Sequence, residues 1–318
     1  MQHATDLTKK SKPNLSSVPP ATPNKVRKQE RLKQNLIGWA FVAPTVLFVI
    51  AFIYYGIFYN AFHSLFSWDG ISFEKTYIGF ENFGRMFQDP EFYNALKNTG
   101  IFTALTVTVQ AGLGLVLAYL LHTKGVGRTF FKSVFFFPVV LSPVVLGAAF
   151  SQIFDFQFGY INEFLRMVGL GAFEQNWLGD QDVALYSIIL INIFQWTGSS
   201  MIMYYMAMLA IEREVFEAAN IDGAGFWRTL WSVVFPNLKG TTFTLTILGV
   251  IGGLKTFDIV WISTQGGPGN STEVISTYLF RKSMLHQEVG YASAVAIILL
   301  AIALSITYFQ MRVQKKMD

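Results

Sequence analysis

Six long apolar runs constrain this chain more than any other feature. Five of them contain no Asp, Glu, Lys or Arg: 34–68, 98–123, 133–154, 183–211 and 289–311. A helix needs about 20 apolar residues to cross a bilayer, and a helix pairs all of its backbone groups internally. The runs therefore predict an all-α membrane protein with six transmembrane helices. We place the spans at 37–59, 98–122, 133–154, 184–209, 240–262 and 289–311.

The composition supports a membrane protein. Of the 318 residues, 52% are hydrophobic and 14% are charged, whereas about a quarter are charged in a soluble domain. The net charge of +4 comes from basic residues at the helix ends and in the N-terminal tail. We therefore interpret it as a topology signal and not as a nucleic-acid interface. The lack of cysteine excludes disulfides, thiolate metal sites and a cysteine nucleophile.

The two ends of the chain differ from the apolar runs. Residues 1–36 are rich in Pro, Ser and Asn and end in a basic run, a composition that cannot form a packed core. We expect a disordered, basic cytoplasmic tail there, and a second cytoplasmic tail at 313–318. Residues 1–36 do not begin a cleavable signal peptide, because this polar region is too long and the apolar run after it is too extended.

The basic residues also predict the orientation. If the N-terminus is inside, 17 of the 24 Lys and Arg residues fall in cytoplasmic parts, and Lys255 is the one within the membrane. Cytoplasmic segments of membrane proteins carry such an excess. Both termini are therefore expected to be cytoplasmic, and so is the polar segment 212–236.

Signatures of catalysis are missing. No Gly-Lys dipeptide occurs, so there is no phosphate-binding loop of the Walker type. The four histidines are scattered, and the sequence 198–200 (Gly-Ser-Ser) lacks the strand–turn–helix context of a nucleophile elbow. We expect that this chain is not an enzyme and binds no metal or cofactor.

Polar side chains inside the fourth span point to a binding function. Asn192, Gln195 and Ser199 are spaced i, i+3 and i+7, which puts them on one helix face beside Trp196. Polar residues in a membrane are costly unless they are paired or line a cavity. This face favours a neutral, polar, ring-shaped solute such as a sugar, and hydrogen bonding between helices is the alternative.

The fifth span carries two charges. Lys255 and Asp258 lie three residues apart, within pairing distance on a helix. We expect a structural intramembrane ion pair. The nearby Gly249, Gly252 and Gly253 allow close helix approach or a wider cavity.

The segment 212–236 is polar and lies between two spans. It reads as a helix over Glu212–Ile221, a break at Asp222-Gly223, and a second helix over Phe226–Phe235 that Pro236 ends. The alanines before the break let another surface approach closely. The segment therefore suggests a docking surface for a soluble partner.

One spacing in this segment is specific. Glu217-Ala218-Ala219 is followed by Gly223 and, after nine residues, by 233–236 (Val-Val-Phe-Pro). It resembles the EAA signature of ABC-importer permeases, in the MalF- and UgpA-like sugar-uptake branch. Other landmarks agree in order: AFVAPTVLF, IGFENFGRMFQDPEFYNALKNT, GYINEFLRMVGL, NWLGD, FDIVWISTQGGPGNST and GYASA. The resemblance covers about 36–312, so we assign 37–312 to one ABC permease transmembrane domain.

The resemblance implies a type I importer fold in a prokaryotic cytoplasmic membrane. It also implies a heterodimer with a second homologous permease subunit, two ATPase subunits that hold ATP and Mg²⁺, and an extracytoplasmic solute-binding protein. The segment 212–236 would be the coupling loop, with these ATPase-coupling residues: Glu217, Ala218, Ala219, Asp222, Gly223 and Pro236. The solute would contact the helices on either side of that loop, at Asn192, Gln195, Trp196, Ser199, Gly252 and Thr256.

Two other functions remain open from the sequence. One is an ATP-independent secondary transporter, which normally has an intramembrane acidic or histidine relay; Asp258 is the one acid within the spans. The other is a membrane partner of an ATPase that transports nothing. The identity of the solute is not encoded in any motif.

Overall fold

The computed structural model describes residues 24–123 and 127–314, in two units divided between Phe58 and Tyr59. The first unit contains α1 (Asn24–Phe48), a π-helical turn (Val49–Tyr54) and the start of α2 (Tyr55–His63). Residues 24–36 are therefore helical, and the expectation of disorder is wrong for them. This stretch lacks proline and is rich in Lys, Arg, Gln and Leu, which favour helix. Residues 1–23 of the expected tail lie outside the described residues, as do 315–318.

The second unit holds the remaining elements. A two-residue antiparallel pair comes first and joins Phe66 to Tyr77 and Ser67 to Thr76. The strands and helices are, in chain order, β1 (Phe66–Ser67), β2 (Thr76–Tyr77), α3 (Glu81–Met86), α4 (Pro90–Thr123), α5 (Arg128–Val140), α6 (Pro143–Ile153), α7 (Tyr160–Met167), a 3-10 turn (Gly171–Phe173), α8 (Ala184–Met208), α9 (Arg213–Ile221), α10 (Phe226–Thr229), a π-helical turn (Leu230–Val234), α11 (Phe235–Asn237), α12 (Lys239–Leu254), α13 (Asp258–Thr264), α14 (Ile275–Phe280), a π-helical turn (Arg281–Leu285) and α15 (Val289–Gln314).

Four helices in the described residues are long and apolar enough to cross a membrane: Ile37–His63, α4, α8 and α15. Two bent pairs raise the number to six if each pair is one span. They are α5 with α6, bent by 96°, and Phe226–Asn237 with α12, bent by 75°. The all-helical membrane architecture follows the prediction, but two of the six spans are broken.

The third predicted span is not one continuous helix. It breaks at Leu141 and Ser142, and Pro143 begins the next helix. Proline disfavours the helical conformation of the residue before it, and Ser142 is extended, with ψ 136°. The prediction of one continuous span at 133–154 is therefore wrong, because two helices share this run.

The fifth predicted span ends early. The helix α12 stops at Leu254, and residues 255–257 separate it from α13. Before α12, the helical path runs through Pro236 and bends at Leu238, so Pro236 does not end the second helix of the 212–236 segment. Proline lacks the N–H that continues a helical hydrogen-bond pattern, and the helix ends one residue after it, at Asn237.

The core of the second unit surrounds α8, which packs against α4 and α5. Glycines permit the close approach. A Cβ at Gly198 would collide with the backbone carbonyl of Phe135 on α5, and one at Gly114 of α4 would meet Ser200. Three buried apolar clusters follow α4 from its N-terminal end to its C-terminal end, which makes α4 the longest packed element of this unit.

Candidate functional site

A cavity of about 420 Å³ lies where α8, α4 and α12 meet the break after α12. The predicted face of α8 lines it with Asn192, Gln195, Trp196 and Ser199, and Gly252 and Thr256 line it too. The structure therefore brings all six residues of the predicted solute site around one cavity. Whether they bind a solute stays a prediction.

Gln110 of α4 is a cavity residue that the sequence reasoning missed. Its Nε2 donates to Asn192 Oδ1 at 3.0 Å and to the Asn192 carbonyl at 3.2 Å. A glutamine within the charge-free run 98–123 was the available signal. The Gln110 bond occupies the amide oxygen of Asn192 and leaves its NH₂ group without a partner among the described residues.

The two amide atoms of Gln195 differ, because the nitrogen is hydrogen-bonded and the oxygen is not. Gln195 is 1% exposed, and its Nε2 donates to the Leu141 carbonyl at 3.0 Å. That carbonyl lies at the break between α5 and α6, so Gln195 stabilises the bend. Its Oε1 has no partner within the described residues, and a buried acceptor without a partner costs about 1–3 kcal/mol. A hydroxyl donor in the cavity would remove that cost.

The glycines of α12 divide into two groups. Gly249 and Gly253 meet Val107 and Thr103 of α4 so closely that a Cβ would not fit. At Gly252 a Cβ would meet nothing within 4 Å. Small residues thus bring α12 against α4 on one face and leave the cavity open on the other.

Lys255 and Asp258 do not form the predicted ion pair. Among the described residues, no salt bridge joins them, although both line the cavity. The i, i+3 proximity requires one continuous helix, whereas α12 ends before Lys255 and α13 begins at Asp258. Each charge lies instead at the helix terminus whose dipole favours it, the cation at a C-terminus and the anion at an N-terminus.

The predicted coupling residues lie on and after α9. The helix ends as expected, because Gly223 has φ 71° and the Ala224 and Gly223 N–H groups donate to the Ala219 and Asn220 carbonyls at 2.9 and 3.1 Å. This is the Schellman arrangement, which needs a left-handed residue after the helix. It explains why glycine follows Asp222.

The predicted coupling residues do not all face the same way. Glu217 and Ala218 are exposed, and Glu217 pairs with Arg213 at 2.7 Å. Ala219 is buried against the rest of the chain. Ile221, which the sequence reasoning did not select, is 86% exposed. Pro236 lies on α11, in a separate helical segment.

A polar network at the N-terminal end of α4 was also missed. Arg281 makes two hydrogen bonds of 2.7 Å to Glu273, and it reaches Glu91 at 3.1 Å. Glu273 is 1% exposed. The bonds to Glu273 raise the pKa of Arg281 above its ordinary value. No spacing in the sequence predicts that Arg281 contacts both carboxylates, because Glu91 lies far from Glu273 and Arg281 along the chain.

Asp89 belongs to the same network. Burial raises the pKa of its carboxyl, but hydrogen bonds from Tyr278, the Glu91 N–H and Tyr291 outweigh this effect, and the pKa lies below its ordinary value. The hydroxyls of Tyr278 and Tyr291 lie 2.6 and 3.0 Å from Oδ2. Asp89 is therefore held as a carboxylate.

Comparisons with known proteins agree with this architecture. A chain similar to this one over 282 residues is the probable ABC transporter permease protein YurN of Bacillus subtilis, with 36% identity, 88% of this chain covered and 96% of YurN. The multiple sugar-binding transport system permease protein MsmF of Streptococcus mutans is 30% identical, and the match covers 88% of this chain and 96% of MsmF.

A solved structure shares the fold. It is a chain of a bacterial ABC transporter involved in the import of the acidic polysaccharide alginate, with a TM-score of 0.79 at 22% identity, covering 91% of this chain and 99% of that one. The profile of the family described as binding-protein-dependent transport system inner membrane component matches residues 110–318. The chain is therefore a multi-pass membrane permease that belongs to this family of binding-protein-dependent ABC transport systems.

Proposed function

We propose that this permease forms half of the path for a neutral carbohydrate in an ATP-driven importer. The observation that carries the solute class is Gln195, a residue of the cavity lining whose buried amide oxygen has no partner in the described part of the chain. The Asn192 amide, Ser199 and Trp196 add a donor, a hydroxyl and an aromatic surface. Sugars need such partners, because their hydroxyls require hydrogen bonds and their ring faces pack on aromatic rings.

The names of the relatives support this solute class. MsmF is described as a multiple sugar-binding transport system permease; the structural neighbour imports an acidic polysaccharide, which is a carbohydrate but not a neutral one. The sequence has no nucleotide-binding loop, so ATP and Mg²⁺ bind a partner ATPase subunit. The exposed face of α9, with Glu217, Ala218 and Ile221, docks on it. The excess of basic residues favours a cytoplasmic position for both termini and α9, in a prokaryotic inner membrane.

The assembly contains more chains than this one. The cavity wall is partly open, since Trp196 is 41% exposed and Lys255 and Asp258 are also exposed. We expect a second homologous permease subunit to close it. Two ATPase subunits complete the membrane complex, and an extracytoplasmic binding protein delivers the solute.

The solute site is tested with the double variant Asn192→Ala/Gln195→Ala. Uptake of radiolabelled di- and trisaccharides should fall at least about tenfold, the equivalent of one buried hydrogen bond, while the ATPase subunits still co-purify. Thr197→Ala is the matched control. Thr197 lies on the same helix, its hydroxyl donates to the Ile193 carbonyl one turn earlier, and it does not line the cavity. Unchanged uptake kinetics in the double variant would place the site elsewhere.

The docking face is tested separately. Glu217→Arg should abolish uptake and co-purification of the ATPase without reducing membrane insertion. Glu214→Arg, on the first turn of the same helix, is the control for added charge. If the ATPase co-purifies equally well with Glu217→Arg, α9 is not the docking element.

A further inference from the structure

The helix α4 contacts both helices of the segment 212–236 through four aromatic rings. Tyr119 lies 4.7 Å from Phe226 between ring centroids, and His122 lies 4.9 Å from Phe216. Tyr119 and His122 are one turn apart near the C-terminal end of α4. Phe216 is on α9 and Phe226 begins α10, on the two sides of the Gly223 turn. We call Tyr119, His122, Phe216 and Phe226 the aromatic clasp.

The burial of α9 fits this contact. Phe216 and Ala219 are turned toward the rest of the chain, whereas Glu217, Ala218 and Ile221 are exposed. Phe216 and Phe226 both pack against the buried cluster around Tyr119, Tyr205 and Leu230. The clasp therefore occupies the face of α9 opposite to the proposed docking face, and the two faces can be altered independently.

Contacts of His122 extend the clasp to a third helix. Its ring lies 6.5 Å from that of Tyr205 on α8, and its backbone carbonyl accepts a hydrogen bond of 2.8 Å from Arg128 at the start of α5. Nδ1 of His122 is buried and has no hydrogen-bond partner among the described residues. The imidazole thus acts here as a packing ring.

The same helix reaches the cavity. Thr106 and Gln110 of α4 line it, and Gln110 holds Asn192 through two hydrogen bonds. Gln110 is twelve residues from His122, which corresponds to about 18 Å along the helix axis. Displacing the C-terminal end of a rigid helix displaces the groups that it holds further along.

We propose that the aromatic clasp passes movement of α9 to α4, and through Gln110 to the cavity. Tyr119 and His122 are then positioning residues for coupling, and they need not touch either the ATPase or the solute. The proposal rests on the proposed function, since it takes α9 as the element on which the ATPase acts. It adds a route through α4, which is distant from α9 in sequence, to the direct chain connections with α8 and α12.

The test uses the full complex purified with its ATPase subunits and solute-binding protein. Because the chain contains no cysteine, Leu248→Cys introduces its sole thiol, at an exposed position in the cavity lining. The maleimide labelling rate of this chain is compared without nucleotide and with Mg-ATP and vanadate. In the double variant Phe216→Ala/Phe226→Ala, the nucleotide-dependent change in labelling rate should be at least about tenfold smaller than in the chain without these two substitutions. The ATPase should stay bound and hydrolyse ATP.

Ring-keeping variants provide the control. His122→Phe and Tyr119→Phe retain a ring and should keep the nucleotide-dependent change, whereas His122→Ala should weaken it. His122→Ala alone decides the question if the double variant does not assemble. The proposal is overturned if the change survives loss of the rings, or if His122→Ala loses docking together with the change. Failure of Glu217→Arg to release the ATPase would instead count against the proposed function.

Discussion

The two ends of α4 are held by different chemistry. At the N-terminal end, Asn98 Nδ2 donates to the carbonyls of Ser271 and Glu273 at 2.9 and 3.0 Å, and Thr99 accepts from the Ile275 N–H at 2.9 Å. At the C-terminal end, the aromatic clasp packs ring against ring, and no hydrogen bond joins its four side chains within the described residues.

The two kinds of contact differ in how much movement they allow at each end of α4. Hydrogen bonds are directional and weaken steeply when bent, so the network at the N-terminal end specifies one position of the loop 265–274 on α4. Burial of apolar surface is non-directional, so rings can slide against each other at a small cost. We infer that α4 is fixed at its N-terminal end and adjustable at its C-terminal end.

The largest expected effect comes from the buried ion pair. Glu273→Ala leaves Arg281, which is 17% exposed at its side chain, without its two shortest bonds, and should lower the unfolding free energy by about 3–5 kcal/mol. Thermal unfolding of the purified permease in detergent measures this loss. Glu288→Ala removes the more exposed pair with Arg85 and should cost less than about 1 kcal/mol. Equal shifts in the two variants would show that burial does not make the Glu273–Arg281 pair the stronger one.

A smaller effect is expected at Asn98. Asn98→Ala leaves the Ser271 and Glu273 carbonyls without their side-chain donor, which should cost about 2 kcal/mol and speed amide hydrogen exchange in 266–274. Asn94→Ala removes a single hydrogen bond, from Asn94 Nδ2 to the Asn270 carbonyl at 2.6 Å, and serves as the milder control. Phe216→Ala should leave exchange in this loop unchanged. Faster exchange there after Phe216→Ala would mean that the two ends do not behave independently.

The smallest effect concerns pH. Because the folded pKa of Asp89 is lowered from 3.8, its contribution is fully present above pH 3.8 and is lost as pH falls through the folded pKa. Tyr278, Tyr291 and Lys282 face this carboxyl. Asp89→Asn should lower the melting temperature at pH 6 and reduce its fall as the pH drops below 3.8, the ordinary carboxyl value from which the folded pKa is lowered. An unchanged acid profile in the variant would show that Asp89 contributes nothing there.

Much of the site was accessible from sequence because it depends on local periodicity. The i, i+3, i+7 spacing put Asn192, Gln195 and Ser199 on one face, and the structure brings that face to the cavity. The Asp222-Gly223 break was predicted from the conformational freedom of glycine, and Gly223 has the expected positive φ. Both features involve residues within two turns of one another.

Other features depended on partners far away in sequence. Gln110 meets Asn192 across 82 positions, and Gln195 donates to a carbonyl that is free because another segment breaks at Pro143. The ion pair of Lys255 with Asp258 was wrong for the same reason, since its geometry assumed a helix that ends at Leu254.

The sequence alone determined the membrane class, the approximate spans and the EAA segment, because composition, run length and short spacings are properties of neighbouring residues. Tertiary structure decided which spans break, which face of α9 is exposed, and that α4 connects the cavity to the aromatic clasp. These depend on contacts between helices, where hydrogen bonds and close packing select among arrangements that local patterns leave equally open.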